Sequence, residues 1–388
     1  MKILFISHDA SRTGAPIILL NIIQYLKQNT DFEVTILLRE SGMLENEFRK
    51  LGKTFVLYKP FKKQTFIQRI IYKLFYEKIF CPLRCLTIKN QLRISTFEVI
   101  YSNTFANGDV LGLLKPIKIK VITHVHELEN TIKSYEVVNL QQIKKFTDKY
   151  IAVSDAVKTA LVSHFKIDAK NIETVFGFVP NINITNINPK TYIKELLNIS
   201  QNATVIGGSG NTDWRKGADL FIQVAASTFK KNPSNEIYFI WVGNNAGWLH
   251  EFYNKLIYDL NKINILDKII FTGLIDNPQD YYNIFDIFIL PSREDPFPLV
   301  CLENAQLGKP IICFDGAGGM PEFVQDDCGF VVPYLDIENM SQKILELIDN
   351  PALRKTLGEN AKGKVKKWAN IETNAQKIVD IIENLIKS

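Results

Sequence analysis

Short apolar segments alternate with amphipathic segments along most of this chain, and this alternation constrains the fold more than any other feature. The apolar run Ile3–Ile6 is suited to a buried strand, and from Gly14 onward apolar residues recur at helical spacing. Strand–loop–helix units of this kind build parallel sheets covered by helices. They also place functional loops at the carboxyl ends of the strands. The sequence therefore predicts an α/β fold.

The alternation restarts near residue 204, which indicates two doubly wound sheets in tandem. Helices are predicted at Lys216–Phe229 and Leu299–Leu307, and the segment 180–200 lacks periodicity and is predicted to be a linker. We expect domains at 1–180 and 181–370 and an amphipathic closing helix at 371–388. The strands predicted in the second half are Thr204–Gly207, Tyr238–Val242, Ile269–Thr272, Ile287–Leu290, Pro310–Phe314 and Gly329–Val332.

Charge and cysteine content narrow the class of protein. The net charge of the 388 residues is only +5, but residues 59–93 hold nine basic residues and one acidic residue. This local basic feature favours a surface-specific partner over nucleic acid. Five scattered cysteines fit a reducing compartment. The first apolar run is too short for a signal peptide, and no stretch approaches the ~18 apolar residues of a membrane span. We expect a cytoplasmic protein.

An acidic pair follows the predicted strand Ile287–Leu290. Asp295 lies in the loop after this strand, and Glu303 lies about one turn into the next helix. An ionised carboxylate accepts two hydrogen bonds, which suits the vicinal hydroxyls of a ribose or another sugar. The alternative is an exposed loop acid beside an acid on a helix surface, and the spacing alone favours neither interpretation.

Two glycine-rich loops are suited to binding an anion. In Asp315–Val324 the glycines permit close approach of the backbone, and Pro321 can start a helix whose free N–H groups face a diphosphate. The alternative is a flexible turn. In Gly207–Leu220, Arg215 and Lys216 could neutralise a phosphate leaving group. Asp213 takes the last glycine position of G-x-G-x-x-G, which argues against a dehydrogenase.

Several motifs follow one another in a recognisable order along the chain: Gly14-Ala15, Val125-His-Glu127, Ile151-Ala-Val-Ser154, Val175-Phe-Gly177, Lys216-Gly217, Phe271-Thr-Gly273, Leu290-Pro-Ser-Arg293, the span from Asp295 to Glu303, Gly318-Gly-Met-Pro-Glu322 and Gly329–Val332. As an ordered set they resemble the retaining, nucleotide-sugar-dependent glycosyltransferases of the GT-B fold, family 4. The resemblance implies two Rossmann-like domains with parallel sheets facing across a cleft, an N-terminal domain for the acceptor and a C-terminal domain for the donor. It also implies that the closing helix 371–388 packs back on the N-terminal domain.

For the donor, the resemblance implies that Glu303 holds the ribose hydroxyls and Asp295 a hydroxyl of the transferred sugar. Lys216, together with Arg215, is expected to neutralise the diphosphate. The family usually has glutamate where Asp295 stands, so the identity of the donor cannot be inherited. The usual Gly-Arg before Lys-Gly is absent as well, and we expect Arg215 to compensate.

For the remaining site residues, the resemblance implies that amides around Gly318 and Gly319 bind the diphosphate or the sugar, and that Glu322 orders this loop. His126 falls where the family has a histidine near the reacting carbon. The loop at Gly14 and Ala15 is expected to close on the phosphates.

No metal or other cofactor is expected. The sequence has no D-x-D triplet and no cluster of His, Asp or Glu at the spacing of metal ligands. We therefore expect cations and helix amides to stabilise the leaving diphosphate.

The basic segment 61–80 projects as an amphipathic helix rich in aromatic residues. One interpretation is peripheral docking on the anionic inner face of the cell membrane, to reach a lipid-linked acceptor. The other is an ordinary helix packed on the core with solvated lysines.

The expected function is transfer of a hexose-type sugar from a nucleoside diphosphate sugar to a saccharide or lipid-linked saccharide, in the synthesis of cell-surface polysaccharide or glycolipid. The alternatives are a nucleotide-sugar epimerase or a phosphorylase on the same scaffold, and a non-catalytic subunit that binds a sugar nucleotide.

Overall fold

A computed structural model of the protein describes residues 1–58, 81–115, 118–233 and 236–387. The chain forms two compact units, one made of Met1–Gly177 with Ile371–Ser388 and the other of Phe178–Asn370. The basic segment 61–80 lies outside the described residues, so both interpretations of it stay predictions. Within the described residues, no helix is both long enough and apolar enough to span a membrane.

The strands of the first unit are β1 (Lys2–Ser7), β2 (Glu33–Glu40), β3 (Lys53–Tyr58), β4 (Val99–Asn103), β5 (Lys120–Val125), β6 (Lys149–Ala152) and β7 (Ile172–Thr174). Those of the second unit are β8 (Thr204–Ser209), β9 (Ile237–Val242), β10 (Ile269–Phe271), β11 (Ile287–Leu290), β12 (Ile311–Phe314) and β13 (Gly329–Val332).

The α-helices are, in chain order, α1 (Gly14–Asn29), α2 (Glu45–Leu51), α3 (Cys81–Leu92), α4 (Gly108–Leu114), α5 (Glu129–Lys133), α6 (Val137–Phe146), α7 (Asp155–Ser163), α8 (Lys190–Leu196), α9 (Ala218–Lys231), α10 (His250–Lys262), α11 (Pro278–Ile284), α12 (Leu299–Gln306), α13 (Met320–Val324), α14 (Ile337–Asp349), α15 (Pro351–Trp368) and α16 (Ile371–Lys387).

In the first unit, the described strands form one parallel sheet in the order β3-β2-β1-β4-β5-β6-β7. β1 is an interior strand of this sheet, and its Ile3 lies opposite Val34 on one side and Val99 on the other. Residues Ile3–Ile6 are fully buried, as expected for a central strand covered on both faces. The loops that follow β1, β4 and β5 therefore lie at the same edge of the sheet.

Helix α16 belongs to the first unit although the second unit precedes it in the chain. It packs against α1, where the Tyr25 hydroxyl donates to Gln376 Oε1 over 3.0 Å. Its apolar side, which includes Ile378 and Ile382, is fully buried. The amphipathic pattern of 371–387 is thus explained by burial within this unit.

In the second unit, the described strands form a parallel sheet in the order β10-β9-β8-β11-β12-β13. The prediction of an α/β fold with two parallel sheets is confirmed. One detail differs, because α9 begins at Ala218 and not at Lys216. Gly217 precedes it with a left-handed φ of 74° and ends the loop. The loops after β8, β11 and β12 share one edge of this sheet.

The segment predicted as a linker, 180–200, is built into the second unit and contains helix α8. Asn188 fixes it through two hydrogen bonds to the Asp280 carboxylate, which accepts from the Asn188 backbone N–H over 2.8 Å and from Nδ2 over 2.9 Å. Low periodicity here reflects a short helix between irregular stretches.

Candidate active site

Asp295 joins the loop after β11 to the loop after β12. Its backbone N–H donates to the Ala317 carbonyl over 2.7 Å, and a β-bridge pairs it with Gly318. The residue is only 4% exposed, so this carboxylate is largely removed from water. The two loops that the sequence singled out separately therefore form one connected structure around Asp295.

The cations predicted to neutralise a diphosphate lie beside this carboxylate. Lys216 Nζ is 2.5 Å from Asp295 Oδ2, and the Ser292 hydroxyl donates to the same oxygen over 3.2 Å. Arg215 Nη1 lies 3.9 Å from Asp295 Oδ1 and donates to the Glu294 carbonyl over 2.8 Å. A buried carboxylate is stable only when it is paired in this way. Lys216, Arg215 and Asp295 thus form one charge cluster.

The backbone around Lys216 explains why glycine follows it. Gly217 has a φ of 74°, and a Cβ there would lie 1.9 Å from the Pro291 carbonyl oxygen. On the other side, Gly210 lies against the aliphatic stem of Lys216, where a Cβ would be 3.2 Å away. The Asp213 carboxylate accepts from the Lys216 backbone N–H over 2.7 Å. These contacts fix the direction of the lysine side chain.

Glu303 lies on α12 and stands apart from this charge cluster. Among the described residues, no hydrogen bond or ion pair engages its carboxylate, which is half-buried. Burial raises the pKa of Glu303 to about 7. Burial and the Glu303 charge together raise the pKa of the Tyr282 hydroxyl, which hydrogen-bonds to Ser209 Oγ over 2.7 Å. The carboxylate of Glu303 is therefore available to accept bonds from a ligand.

The glycine loop offers fewer free amides than the sequence predicts. The Gly319 N–H donates to the Pro296 carbonyl over 3.0 Å and is engaged within the protein. The Gly318 N–H donates to none of the described residues, and its φ is 141°. Glu322 is half-buried, and its backbone N–H donates to the Gly319 carbonyl over 3.2 Å. Of the two predicted glycine amides, only that of Gly318 is open to an anion.

Arg293 connects the loop after β11 to the segment that carries Arg215 and Lys216, a role that the sequence did not reveal. Its backbone N–H donates to the Arg215 carbonyl over 2.9 Å. Its guanidinium pairs with both oxygens of Asp219, over 2.8 and 2.6 Å, and lies 4.8 Å from the ring centroid of Trp214. It also donates to the Trp214 carbonyl over 2.7 Å. A bidentate pair of this kind fixes geometry as well as charge. The only signal in the sequence is the motif Leu290-Pro-Ser-Arg293.

In the first unit, His126 follows β5, and a single amide connects it to Gly14 and Ala15, which form the first turn of α1 and not the loop that the sequence predicts. His126 Nε2 is 2.9 Å from Asn103 Oδ1, and Asn103 Nδ2 donates to the Ala15 carbonyl over 2.8 Å. A Cβ at Gly14 would meet nothing within 4 Å, so the start of α1 has open space beside it. Nothing in the sequence around Asn103 marks it as part of a site.

The surroundings of His126 keep its imidazole neutral. Burial and the neighbouring His124 and His8 hold the pKa of His126 well below its usual range. The ring centroids of His124 and His126 are 4.1 Å apart, and burial lowers the pKa of His124 to about 3. Glu127 Oε2 accepts from the backbone N–H groups of His126 and Phe105 over 2.9 and 3.2 Å, and burial raises the pKa of Glu127 to about 7. Among the described residues, no group of three or more His, Cys, Asp or Glu could hold a metal ion.

Two family models match this chain. Residues 190–364 match the model described as glycosyl transferases group 1, and residues 12–180 match glycosyltransferase family 4. Among curated relatives, D-inositol 3-phosphate glycosyltransferase of Corynebacterium kroppenstedtii is 26% identical over 64% of this chain and 55% of that protein. The O-antigen biosynthesis glycosyltransferase WclY of Escherichia coli is 27% identical over 56% of this chain and 61% of that protein.

The fold is shared with solved structures over the whole chain. The crystal structure of HepE from Anabaena in complex with UDP-glucose has a TM-score of 0.81 and 19% identity, and covers 99% of this chain and 100% of that chain. By contrast, the matches to these two curated relatives span a little over half of each relative's length. Since the two family models together account for most of its length and the fold is that of GT-B proteins, the chain belongs to the group 1 glycosyltransferases.

Proposed function

We propose that this protein transfers a sugar from a nucleoside diphosphate sugar to a saccharide or lipid-linked saccharide with retention of the anomeric configuration, in the synthesis of cell-surface polysaccharide or glycolipid. The observation that carries the proposal is the cluster of Lys216, Arg215 and Asp295 at the carboxyl edge of the second sheet, beside the open Gly318 amide. Ligands of α/β sheets bind at this edge. The names of the relatives, including an O-antigen glycosyltransferase, agree with this substrate class.

The proposed role of each candidate site residue in the second unit follows from the chemistry of its side chain or backbone. Lys216 and Arg215 neutralise the charge that develops on the leaving diphosphate, and the Gly318 N–H donates to it. Asp295 accepts from a hydroxyl of the transferred sugar. Glu303, whose carboxylate has no bond to any other described residue, accepts from the ribose hydroxyls. For Gly319 and Glu322 we propose that they hold the loop in shape.

For the first unit we propose that His126 acts near the reacting carbon and that Gly14 and Ala15 approach the phosphates. A neutral imidazole can accept or donate a hydrogen bond without carrying a positive charge. Because cations and amides already stabilise the diphosphate, we propose that transfer needs no divalent metal.

The proposed location is the cytoplasm, with docking on the inner face of the membrane through 61–80. Vesicle flotation tests this separately from catalysis. We expect binding to anionic vesicles that is lost when Lys62, Lys63, Arg69 and Lys73 are made neutral. Absence of binding, or binding unchanged in that variant, would overturn the docking proposal.

The function is tested by a thermal-shift screen of nucleoside diphosphates and their sugars, because a ligand at about 100 times its Kd stabilises a protein by about 2.7 kcal/mol. We expect one nucleotide series to stabilise the wild type and to lose its effect in Lys216→Ala. Lys230→Ala is the matched control, since it removes an exposed lysine near the far end of α9.

Turnover separates the transferase from a subunit that only binds sugar nucleotides. With the stabilising donor, we expect the wild type to release the nucleoside diphosphate, slowly to water and faster when a saccharide acceptor is added. Donor binding with no release under either condition would favour the non-catalytic alternative. Interconversion of the sugar on an intact donor would favour an epimerase, whereas the two relatives described above are named as glycosyltransferases.

A further inference from the structure

Asn103 occupies a junction between two elements of the first unit. It is the last residue of β4 and is fully buried. Its side chain reaches the ring of His126, after β5, and the Ala15 carbonyl, in the first turn of α1. One side chain thus contacts both segments that are proposed to meet the donor.

The chemistry of these contacts fixes the orientation of the amide. A backbone carbonyl can only accept, so the group of Asn103 that faces Ala15 must be the NH₂. The group that faces His126 is then the carbonyl oxygen, which also can only accept. His126 Nε2, 2.9 Å away, must therefore carry the proton.

The opposite tautomer is disfavoured at this position. With the proton on Nδ1, the lone pair of Nε2 would point at the lone pairs of Asn103 Oδ1, and the buried amide oxygen would lose its partner. In a neutral imidazole one nitrogen donates and the other accepts. Nδ1 is therefore an acceptor, and no described residue donates to it.

We infer that Asn103 is a positioning residue that holds His126 in its Nε2–H tautomer, so that Nδ1 accepts from a substrate hydroxyl. The same amide ties the Ala15 carbonyl to this arrangement and sets the start of α1 relative to the imidazole. The role of the hydroxyl rests on the proposed sugar transfer, whereas the tautomer is a property of the protein alone.

The experiment uses the full chain with ¹⁵N-labelled histidine. The chain has five histidines, so the ring signals can be assigned by removing His126. We expect the wild type to show a protonated Nε2 and an unprotonated Nδ1 for His126. In Asn103→Ala and in the larger Asn103→Leu we expect these signals to shift toward the Nδ1–H form or a mixture. Two variants are used because either could fail to fold.

Asn107→Ala is the matched control. Asn107 is also buried near the end of β4, but it donates to the Ile6 carbonyl and Ser102 Oγ and does not bond to His126. We expect the control to keep the wild-type signals. With donor and acceptor, we expect kcat to fall at least tenfold in the folded Asn103 variants while the KM for the donor changes less than threefold.

The outcomes separate this inference from the proposed function. If the folded Asn103 variants keep the Nε2–H signals, or if Asn107→Ala shifts them equally, the positioning role is wrong. If the tautomer shifts as expected but kcat is unchanged, the use of Nδ1 by a substrate hydroxyl is wrong. If the wild type shows the expected tautomer but transfers no sugar, the proposed function fails while the positioning of His126 stands.

Discussion

Replacing Asp295 by asparagine would remove the charge that pairs with Lys216 while keeping the size of the side chain. In the structure Lys216 Nζ lies 2.5 Å from Asp295 Oδ2, and the two side chains are 15% and 6% exposed. In the proposed function a bound diphosphate uses the same ammonium group, so it would compete with the carboxylate. We therefore expect Asp295→Asn to bind a nucleoside diphosphate more tightly than the wild type does.

The size of the effect follows from the bond that the nucleotide must weaken. A hydrogen bond between charged groups contributes about 1.5–3 kcal/mol, and each 1.4 kcal/mol is about tenfold in affinity. We expect the nucleoside diphosphate found in the thermal-shift screen to bind about tenfold or more tightly to the variant. For its sugar nucleotide this gain is offset, because the variant loses the proposed charge-assisted bond from Asp295 to a sugar hydroxyl. The preference for the sugar nucleotide over the free nucleoside diphosphate should thus fall about tenfold.

Isothermal titration calorimetry with that nucleoside diphosphate and its sugar nucleotide at fixed pH and salt measures both affinities. Glu294→Gln is the control, since it removes an equal charge one residue away from the carboxylate that pairs with Lys216. If the nucleoside diphosphate binds Asp295→Asn no more tightly than the wild type while the control is also unchanged, the carboxylate does not restrain Lys216. The proposed competition would then be wrong.

Three further perturbations test the site. Gly217→Ala should lower stability by at least about 1–2 kcal/mol in thermal unfolding, because the φ of 74° at Gly217 and the nearby Pro291 carbonyl leave no room for a Cβ. The control is Gly363→Ala on α15, which should not lower stability because the position has open space. Burial raises the pKa of Glu303 to about 7, so the folded state holds the proton of this carboxyl group more tightly than the unfolded state does. In denaturant titrations, the free energy of unfolding of the wild type relative to Glu303→Gln should therefore fall as pH rises from about 5 to about 8. A difference between the two proteins that does not change with pH would contradict the pKa shift. Transfer should survive EDTA, and loss of activity that magnesium restores would refute metal independence.

The fold was largely predictable because its strands are apolar runs and its helices are amphipathic. Ile3–Ile6 and Ile287–Leu290 are continuous apolar segments, which is typical of strands buried on both faces of a parallel sheet. The short edge strand β7 (Ile172–Thr174) carries too few residues for a pattern. Helix α8 escaped prediction for the same reason, since its seven residues bury only Ile193 and Lys194.

The site was predictable only in part, because its geometry depends on residues far apart in the chain. The sequence identifies Lys216 and Asp295 as separate candidates, but their ion pair spans 79 positions and depends on the order of β8 and β11. Asn103 and Arg293 act through tertiary contacts. No local pattern distinguishes Asn103 from an ordinary polar residue, and the motif that contains Arg293 does not reveal its partner Asp219. The engaged N–H of Gly319 likewise follows from the pairing of two loops and not from its motif.

The placement of α16 has a consequence for the synthesis of the protein. The first unit is completed by a helix that the ribosome makes only after the entire second unit. Until then, the surface of α1 that α16 covers faces solvent, and the apolar residues of α16, such as Ile378 and Ile382, are not yet available to shield it. The nascent first unit therefore spends the translation time of the second unit with an uncovered apolar surface, which is the form of the protein most in need of a chaperone.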